Sequence, residues 1–292
     1  VLDLKVITEA REVIKGTKRS IQINKVIKNT DRSFGAMLSG EIAKKFGHKG
    51  LNEDSIIINL SGTAGQSFGT FLSKGVTLNL NGEANDYVGK GLSGGRIIVK
   101  PFSNSKITSY RNIIIGNTVL YGAIAGECFF SGVAGERFAV RNSGAIAVVE
   151  GTGDHCCEYM TGGVIMVLGE TGVNFGAGMS GGIAYVYDKE DNFSSKCNFS
   201  MVETQKIDKG DSDSFNNIFN KFSFLDSDEL RIKELLTRHT NYTNSSRSRF
   251  ILNNFDEEIK YFVKVLPIDF KKAIENKKLE NSKEGKDVLW EK

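Results

Sequence analysis

The sequence predicts a mainly β fold, a parallel β-helix in which short strands stack coil upon coil. Three observations favour it. The chain has 32 glycines against 2 prolines, and 29 of the glycines lie between Gly35 and Gly182. Short runs rich in β-branched residues follow these glycines. The runs recur about every twenty residues, which is typical of a solenoid.

The repeat can be read from the glycines that precede each run. They stand at positions 75, 95, 116, 144, 163 and 182, so the gaps are 20, 21, 28, 19 and 19 residues. The gap of 28 predicts one coil with an extra loop. The predicted strands are residues 76–80, 96–99, 117–120, 145–149, 164–167 and 183–186.

Tight bends between stacked coils explain the glycines. A bend brings its backbone against neighbouring coils, where glycine tolerates positive φ and adds no side chain. Few prolines are expected, because inner strands must donate every N–H. The predicted bends, with positive φ expected at Gly181, are Gly75, Gly94, Gly95, Gly144, Gly162, Gly163, Gly181 and Gly182. A β-sandwich is the alternative fold, but only Asn81-Gly82 resembles its hairpin turns.

Residues 1–54 are predicted to lead into the solenoid, which spans residues 55–188. A helix is expected over Glu9–Lys15, with Thr8 as its N-cap and Gly16 as its stop. Ile21 and Ile23 alternate with polar residues as in a strand. A second helix, Asn29–Gly47, is expected to close the early end with Met37, Leu38 and Ile42, and a loop is the alternative there.

The rest of the chain is poor in glycine and divides into three parts: a polar insertion at 189–228, a helical tail at 229–270 and a charged linker at 271–292. The first tail helix runs through Arg238, with Asp226 and Glu229 forming a capping box. Further helices are expected over Ser245–Asn253 and Asp256–Val265. The apolar residues expected to cover the solenoid are Leu235, Leu236, Phe250, Phe262 and Val263.

Composition excludes several classes of protein. The net charge is only +3, which argues against a nucleic-acid partner. No apolar run reaches the ~20 residues that span a bilayer, so no membrane association is expected. The 4 cysteines lack C-x-x-C spacing, which favours a reducing compartment over a disulfide framework. The chain starts at Val1 without a signal segment, and we expect it to be part of a longer polypeptide.

Two motifs suggest chemistry. Residues 89–94 and 176–181 both match G-x-G-x-x-G, but strand-like residues follow where a dinucleotide site needs a helix, so bends are expected. Asp154, His155, Cys156 and Cys157 bring acid, imidazole and thiol together. On an extended strand Cys156 would face away from His155, and no third orienting group is identifiable, so no catalytic or metal-binding residue is predicted.

A charged stretch inside the apolar coils is a candidate domain interface, because Arg and Glu are rarely buried unpaired. With the histidine of the next coil, it consists of Glu136, Arg137, Arg141, Asn142 and His155. His239 is expected on a helix surface.

Long strings resemble the C-terminal domain of the glutamate synthase large subunit over about residues 3–275. They include NTDRSFGAMLSGEIAKKFG from Asn29, GEANDYVGKGLSGGRIIVKP from Gly82 and SGVAGERFAVRNSGAIAVVEGTGDH from Ser131. GTAGQSFGTFLSKG from Gly62, EYMTGGVIMVLG from Glu158 and RFILNNFDEEIKYFVKVLP from Arg249 add to the resemblance.

The resemblance implies a right-handed single-stranded parallel β-helix with a helical N-terminal segment and a short helical tail. It implies a non-catalytic scaffold in an enzyme that makes glutamate from glutamine and 2-oxoglutarate, in the cytoplasm or a plastid. The partners would be glutaminase, central and FMN-binding domains, and a small NAD(P)H-oxidising subunit or fused half. FMN, an iron–sulfur cluster and the donor, NAD(P)H or ferredoxin, would bind outside this chain. A free-standing interaction module and a polysaccharide-acting enzyme are the alternatives.

Overall fold

A computed structural model describes residues 1–102, 104–207, 227–273 and 276. The molecule is a β-solenoid built on one sheet, in the order β1-β2-β3-β4-β6-β7-β8-β9-β11-β10. The strands are β1 Ile21–Ile27, β2 Ile56–Ala64, β3 Val76–Ala84, β4 Ser93–Lys100, β5 Ile113–Ile115, β6 Ala125–Ala134, β7 Ser143–Thr152, β8 Thr161–Val167, β9 Gly181–Tyr187, β10 Val202–Lys206 and β11 Phe262–Pro267. The α-helices with fully described bounds are α1 Leu2–Glu9, α2 Arg11–Lys15, α3 Ala36–Phe46, α4 Asp228–Thr243, α5 Ser246–Asn253 and α6 Phe255–Glu258. Residues 268–273 are helical as well.

The strands from β1 to β9 on this path pair in parallel, which confirms the predicted parallel β-helix. The register also corrects the position of the long coil. Leu78 pairs with Ile97, but Ile97 pairs with Cys128, 31 residues further on. The extra residues lie between β4 and β5, before Gly116, so Gly116 is not equivalent to the other leading glycines. Residues 117–120, predicted as a strand, are a bend and turn.

The N-terminal segment differs from its prediction in two ways. β1 pairs with β2 over seven residues, so the stack begins at Ile21, inside the expected lead-in. The helix predicted over Glu9–Lys15 is present as α2, Arg11–Lys15, and Gly16 ends it in the left-handed conformation as predicted. An additional helix, α1, precedes it, and Thr8 lies within α1. The Thr8 hydroxyl donates to the Leu4 carbonyl at 2.9 Å, so Thr8 is not an N-cap.

An arc with unusual backbone joins the strands of each coil. Three alternate residues of the arc have positive φ, a conformation that L side chains rarely adopt. The first-position row is Ser67, Tyr87, Thr118, Arg137, His155 and Asn174; the second is Gly69, Gly89, Leu120, Ala139, Cys157 and Gly176; the third is Phe71, Gly91, Gly122, Arg141, Tyr159 and Gly178. Glycines at the second and third positions produce the G-x-G spacing in the sequence.

Hydrogen bonds join each arc to both of its neighbours. Arg137 N–H donates to Asp154 O at 2.8 Å and Arg141 N–H to Glu158 O at 2.9 Å, both in the next coil. Ala139 N–H donates to Val119 O at 2.8 Å, in the previous coil. These bonds pair backbone groups that would otherwise be buried without a partner, and so hold the arcs in their left-handed conformation.

In β4 and from β6 to β9 the sheet is buried on both faces, which explains why these strands are apolar without alternation. In β1 and β2, by contrast, buried residues alternate with more exposed ones. Cys128 and Phe130 point into the core inside the coils. Phe129, between them, packs on the outer face, and its ring centroid lies 4.8 Å from that of Tyr242 on α4.

Helices cover the early end of the solenoid. Val6 of α1 and Leu38 and Ile42 of α3 share the interior core with Ile23 of β1. The burial predicted for Leu38 and Ile42 is confirmed, whereas Met37 is exposed.

The tail covers the outer face and the late end. Leu235 and Leu236 of α4 are buried against the sheet, as predicted, but Phe250 is half exposed. The helix predicted over Asp256–Val265 is wrong beyond α6, because β11 pairs antiparallel with β9 and then with β10. The free edge of β9 needs N–H and C=O partners that a helix could not supply. Ser227 caps α4 by accepting from Leu230 N–H, and the predicted Asp226 lies outside the described residues.

Candidate functional site

The predicted bend glycines lie where the arcs pass into the strands, and glycine is required there for two different reasons, positive φ and lack of room for a side chain. Gly75, Gly94, Gly163 and Gly182 have positive φ. Gly95, Gly144, Gly162 and Gly181 do not, but an added Cβ would lie within 2.2–2.6 Å of the side chain or carbonyl oxygen of a neighbouring coil.

Gly181 is the clearest case, and it corrects one expectation. Its φ lies outside the positive range, contrary to prediction. A Cβ at this position would instead lie 2.2 Å from the carbonyl oxygen of Thr161 in the previous coil. Close approach of two coils, rather than a left-handed backbone, requires glycine here.

The outer surface of the arcs carries most of the candidate interface. Glu136, Arg137 and Arg141 are exposed on one arc, and His155 is half buried on the next. The His155 Nδ1 atom lies 3.6 Å from Glu158 Oε2. Asn142 does not belong to this surface. It is fully buried, and its amide nitrogen donates to the carbonyls of Ala145 and Gly162 at 3.0 and 3.1 Å.

The cysteines near His155 point into the core. Cys156 and Cys157 lie in a turn rather than on the expected strand, and both are buried, with their sulfurs 3.7 Å apart. Burial raises the pKa of the Cys157 thiol well above its usual value. A nucleophilic cysteine needs a lowered pKa and exposure, so this environment opposes thiolate chemistry.

The two G-x-G-x-x-G segments form arcs. Each leads directly into a strand, β4 after the first copy and β9 after the second. The helix N-terminus that would bind a pyrophosphate is therefore replaced by sheet, and the interpretation of both motifs as bends is confirmed.

Sequence reasoning missed a buried polar cluster beneath α4. Glu150 of β7 is fully buried and accepts hydrogen bonds from Ser109 at 2.7 Å, from Ser131 at 3.3 Å and from Ser245. The Nε2 atom of His239, fully buried rather than on the helix surface, lies 3.4 Å from Glu150. Burial alone would raise the pKa of Glu150, but hydrogen bonds from His239, Ser245 and Ser109 lower it below its ordinary value.

A second buried cluster joins the sheet to the same helix. Glu127 of β6 accepts from Arg96 of β4 at 3.2 Å and from Arg238 of α4 at 2.5 Å. The Arg96 guanidinium also contacts Asp54 at 2.8 Å and lies 5.1 Å from the centroid of the Tyr242 ring. No sequence signal predicted the contact between Arg238 and Glu127, because the two residues are more than a hundred positions apart.

Within the described ranges, no helix is both long and apolar enough to cross a membrane. The same part of the chain holds no group of three or more His, Cys, Asp or Glu side chains placed to bind a metal ion.

Fold and surface together define a β-solenoid domain whose strands are joined by glycine-rich arcs. The chain belongs to the GXGXG motif family, whose model matches residues 3–268.

The relatives support the resemblance to glutamate synthase large chains. The chain is 50% identical over 274 residues to "Glutamate synthase [NADH]" of Schizosaccharomyces pombe, covering 94% of this chain and 12% of the relative. It is 47% identical over 273 residues to "Glutamate synthase [NADPH] large chain" of Bacillus subtilis, covering 93% and 17%. Against "Ferredoxin-dependent glutamate synthase, chloroplastic" of Spinacia oleracea it is 41% identical over 269 residues, covering 91% and 16%. The chain thus spans less than a fifth of the length of these relatives.

Proposed function

We propose that this chain is a non-catalytic scaffold domain of a glutamate synthase, an oxidoreductase that makes L-glutamate from L-glutamine and 2-oxoglutarate. The observation that carries the proposal is the 50% identity over 94% of this chain to a segment of a protein so named. Identity of that level along a whole domain favours a common structural role in the parent enzyme.

The structure supports a scaffold in two ways. Hydrogen bonds in both directions join each arc to its neighbours. The C-terminal helices pack on the outer face from β4 to β9, and β11 covers the late edge. A rigid solenoid of this kind can hold other domains at fixed distances. The thiols of Cys128 and Cys157 are fully buried with raised pKa, which suits packing rather than catalysis.

The cofactors belong elsewhere in this proposal. FMN and an iron–sulfur cluster would bind in other domains, and the described residues offer no cysteine cluster for iron. Relatives named for NADH, NADPH and ferredoxin all share this domain. The choice of electron donor is therefore made outside it, and the parent would reside in the cytoplasm or a plastid.

The partners are the glutaminase, central and FMN-binding domains of the same polypeptide, together with a small NAD(P)H-oxidising subunit or fused half where the donor is a pyridine nucleotide. Glu136, Arg137, Arg141 and His155 on the arc surface are the residues proposed to face them. Paired charges on a surface of this kind orient a partner more than they strengthen its binding.

Two measurements test the proposal. The full-length parent should form glutamate only when glutamine, 2-oxoglutarate and a reduced donor are all present. The purified chain alone should form none and should have no visible absorbance. Stoichiometric flavin bands in the purified chain, or a parent that forms no glutamate under any donor, would refute the proposal.

A further inference from the structure

One edge of the solenoid exposes apolar side chains. Phe71 and Tyr159 belong to the third-position row of the arcs, and Ile124 lies two residues after Gly122 of the same row. Phe71, Ile124 and Tyr159 are exposed by 56%, 60% and 53%. We name this surface the third-position edge and define it by these three residues with Lys74 and Arg141. Phe71 and Tyr159 lie four coils apart, about 19 Å at ~4.8 Å a coil.

The two aromatic rings on this edge are held in place by glycine. A Cβ at Gly91 would lie 2.6 Å from two ring carbons of Phe71, and a Cβ at Gly178 would lie 2.5 Å from two ring carbons of Tyr159. Each ring therefore rests on the backbone of the next coil, while more than half of its residue surface stays exposed. Rigid aromatic groups lose little entropy on binding, which makes them effective interface anchors.

Ile124 differs from the residues that replace it in other coils. The amide hydrogen bonds place it in the row of Ser93, Ser143, Thr161 and Ser180. A large apolar side chain, mostly exposed, thus interrupts a row of hydroxyl side chains. Isolated exposed apolar residues are ordinary, but here three large ones recur at alternate coils along one edge, and such an alignment is the feature we interpret as an interface.

Charge indicates what the edge contacts. Lys74 and Arg141 are exposed beside the apolar groups, and the Arg141 guanidinium lies 5.8 Å from the centroid of the Tyr159 ring. A partner with apolar side chains and carboxylates would complement this surface. The chain spans 12–17% of its relatives, so most of a parent polypeptide would lie outside this domain.

We infer that the third-position edge docks an apolar surface bearing carboxylates on another domain of the same polypeptide. This inference rests on the proposed function only in assuming a longer parent chain. It assigns the docking surface to the line from Phe71 to Tyr159, and so adds apolar anchors to the charged residues of the arc surface.

Thiol labelling of the full-length parent tests the inference. Tyr159→Cys and Leu230→Cys introduce single thiols at sites exposed by 53% and 47% in this domain, on the edge and on α4. Each variant is treated with a maleimide, and fragment-ion mass spectrometry locates the label at the introduced residue, because the buried Cys156 and Cys157 lie on the same peptide as position 159. We expect labelling at position 159 to be at least about tenfold slower, because a docked domain excludes solvent.

Equal labelling rates at the two positions would overturn the inference. Slow labelling that becomes fast on dilution would mean that a second copy covers the edge, which overturns the assignment to the same polypeptide. Phe71→Cys repeats the measurement at the other end of the edge if Tyr159→Cys fails to fold. Labelling does not depend on catalysis, so a parent without glutamate synthase activity would refute the proposed function while the edge is judged separately.

Discussion

Glu150 connects four parts of the chain through one buried carboxylate. Its carboxylate accepts hydrogen bonds from Ser109 in the long coil, from Ser131 of β6 and from Ser245, which caps α5. It also contacts Nε2 of His239 on α4. Hydrogen bonds to an ionised group are stronger than hydrogen bonds between neutral groups, and a buried donor that loses its acceptor destabilises the fold.

Glu150→Gln keeps the shape of the side chain and removes its charge. We expect a loss of about 1–3 kcal/mol in the free energy of unfolding at neutral pH. Urea denaturation measures it, with Glu136→Gln on the exposed arc surface as the control, which should change little. Similar midpoints for the two variants would show that the cluster does not hold α4 to the sheet.

The same carboxylate predicts a pH dependence. The pKa of Glu150 is lowered in the folded state, so its contribution is complete above the ordinary value of 4.5 and declines as pH falls through the folded pKa. The difference in stability between the natural chain and Glu150→Gln should be constant above pH 4.5 and shrink below it. A difference that grew on acidification would mean the opposite shift.

Substitutions at two glycines, Gly181 and Gly122, distinguish the cost of steric crowding from the cost of backbone strain. Gly181 has an ordinary φ but no room for a Cβ, whereas Gly122 has φ +61° and nothing within 4 Å of the Cβ position. Gly122→Ala should cost about 1 kcal/mol for the left-handed backbone. Gly181→Ala must push two hydrogen-bonded coils apart, so we expect the upper end of the roughly 1–3 kcal/mol range for overpacking, or more. Thermal unfolding of both variants checks the order, and the reverse order would contradict it.

The caps of the two tail helices offer a matched comparison between elements. Ser227 caps α4 by accepting from Leu230 N–H, and Ser245 caps α5 by accepting from Ser248 N–H. Only Ser245 is buried and also donates to Glu150. Ser227→Ala should cost about 1 kcal/mol, the ordinary value of a cap. Ser245→Ala should cost clearly more, and equal melting temperatures would show that the bond to Glu150 adds nothing.

The strands and the helices were predictable to different degrees. The glycine period and the β-branched runs are local signals, so the parallel stack could be predicted from them. β11 carries β-branched residues, Val263 and Val265, but no leading glycine and no place in the period, and its strand is completed by pairing with β9, about eighty residues earlier in the chain. Gly116 misled the count of coils because arc and bend glycines look alike in sequence.

The arc surface shows a second limit of sequence reasoning. Glu136, Arg137 and Arg141 are exposed on one arc and His155 lies half buried on the next, and their role as a domain interface stays a prediction. Asn142 does not belong to that surface: an amide next to an arginine looks exposed in sequence, but here it hydrogen-bonds buried backbone. The second and third left-handed rows were hidden where Ala139, Cys157 and Tyr159 replace glycine, and only the stacked coils show that these residues share positions with glycines.

At the scale of the whole domain, the C-terminal tail shields the outer face of the sheet from solvent. The outer face carries Phe129, Met166 and Tyr185, which are fully buried beneath the C-terminal elements. β11 and β10 extend the sheet beyond the edge of β9, and in β10 Glu203 is half buried while Thr204–Lys206 are exposed. Charged side chains on an edge strand oppose pairing with other molecules.

Removing every residue after Asp188 should therefore convert a monomer into an aggregating chain. The deletion exposes the apolar outer face and leaves the edge of β9 open, and either change alone favours association. Light scattering and size-exclusion chromatography measure the outcome, with a chain ending at residue 273 as the control that keeps β11. If the shorter chain stayed monomeric and melted as the control does, the inner core of the coils would be sufficient for folding. The tail would then serve only to position α4 and α5 toward the rest of the parent protein.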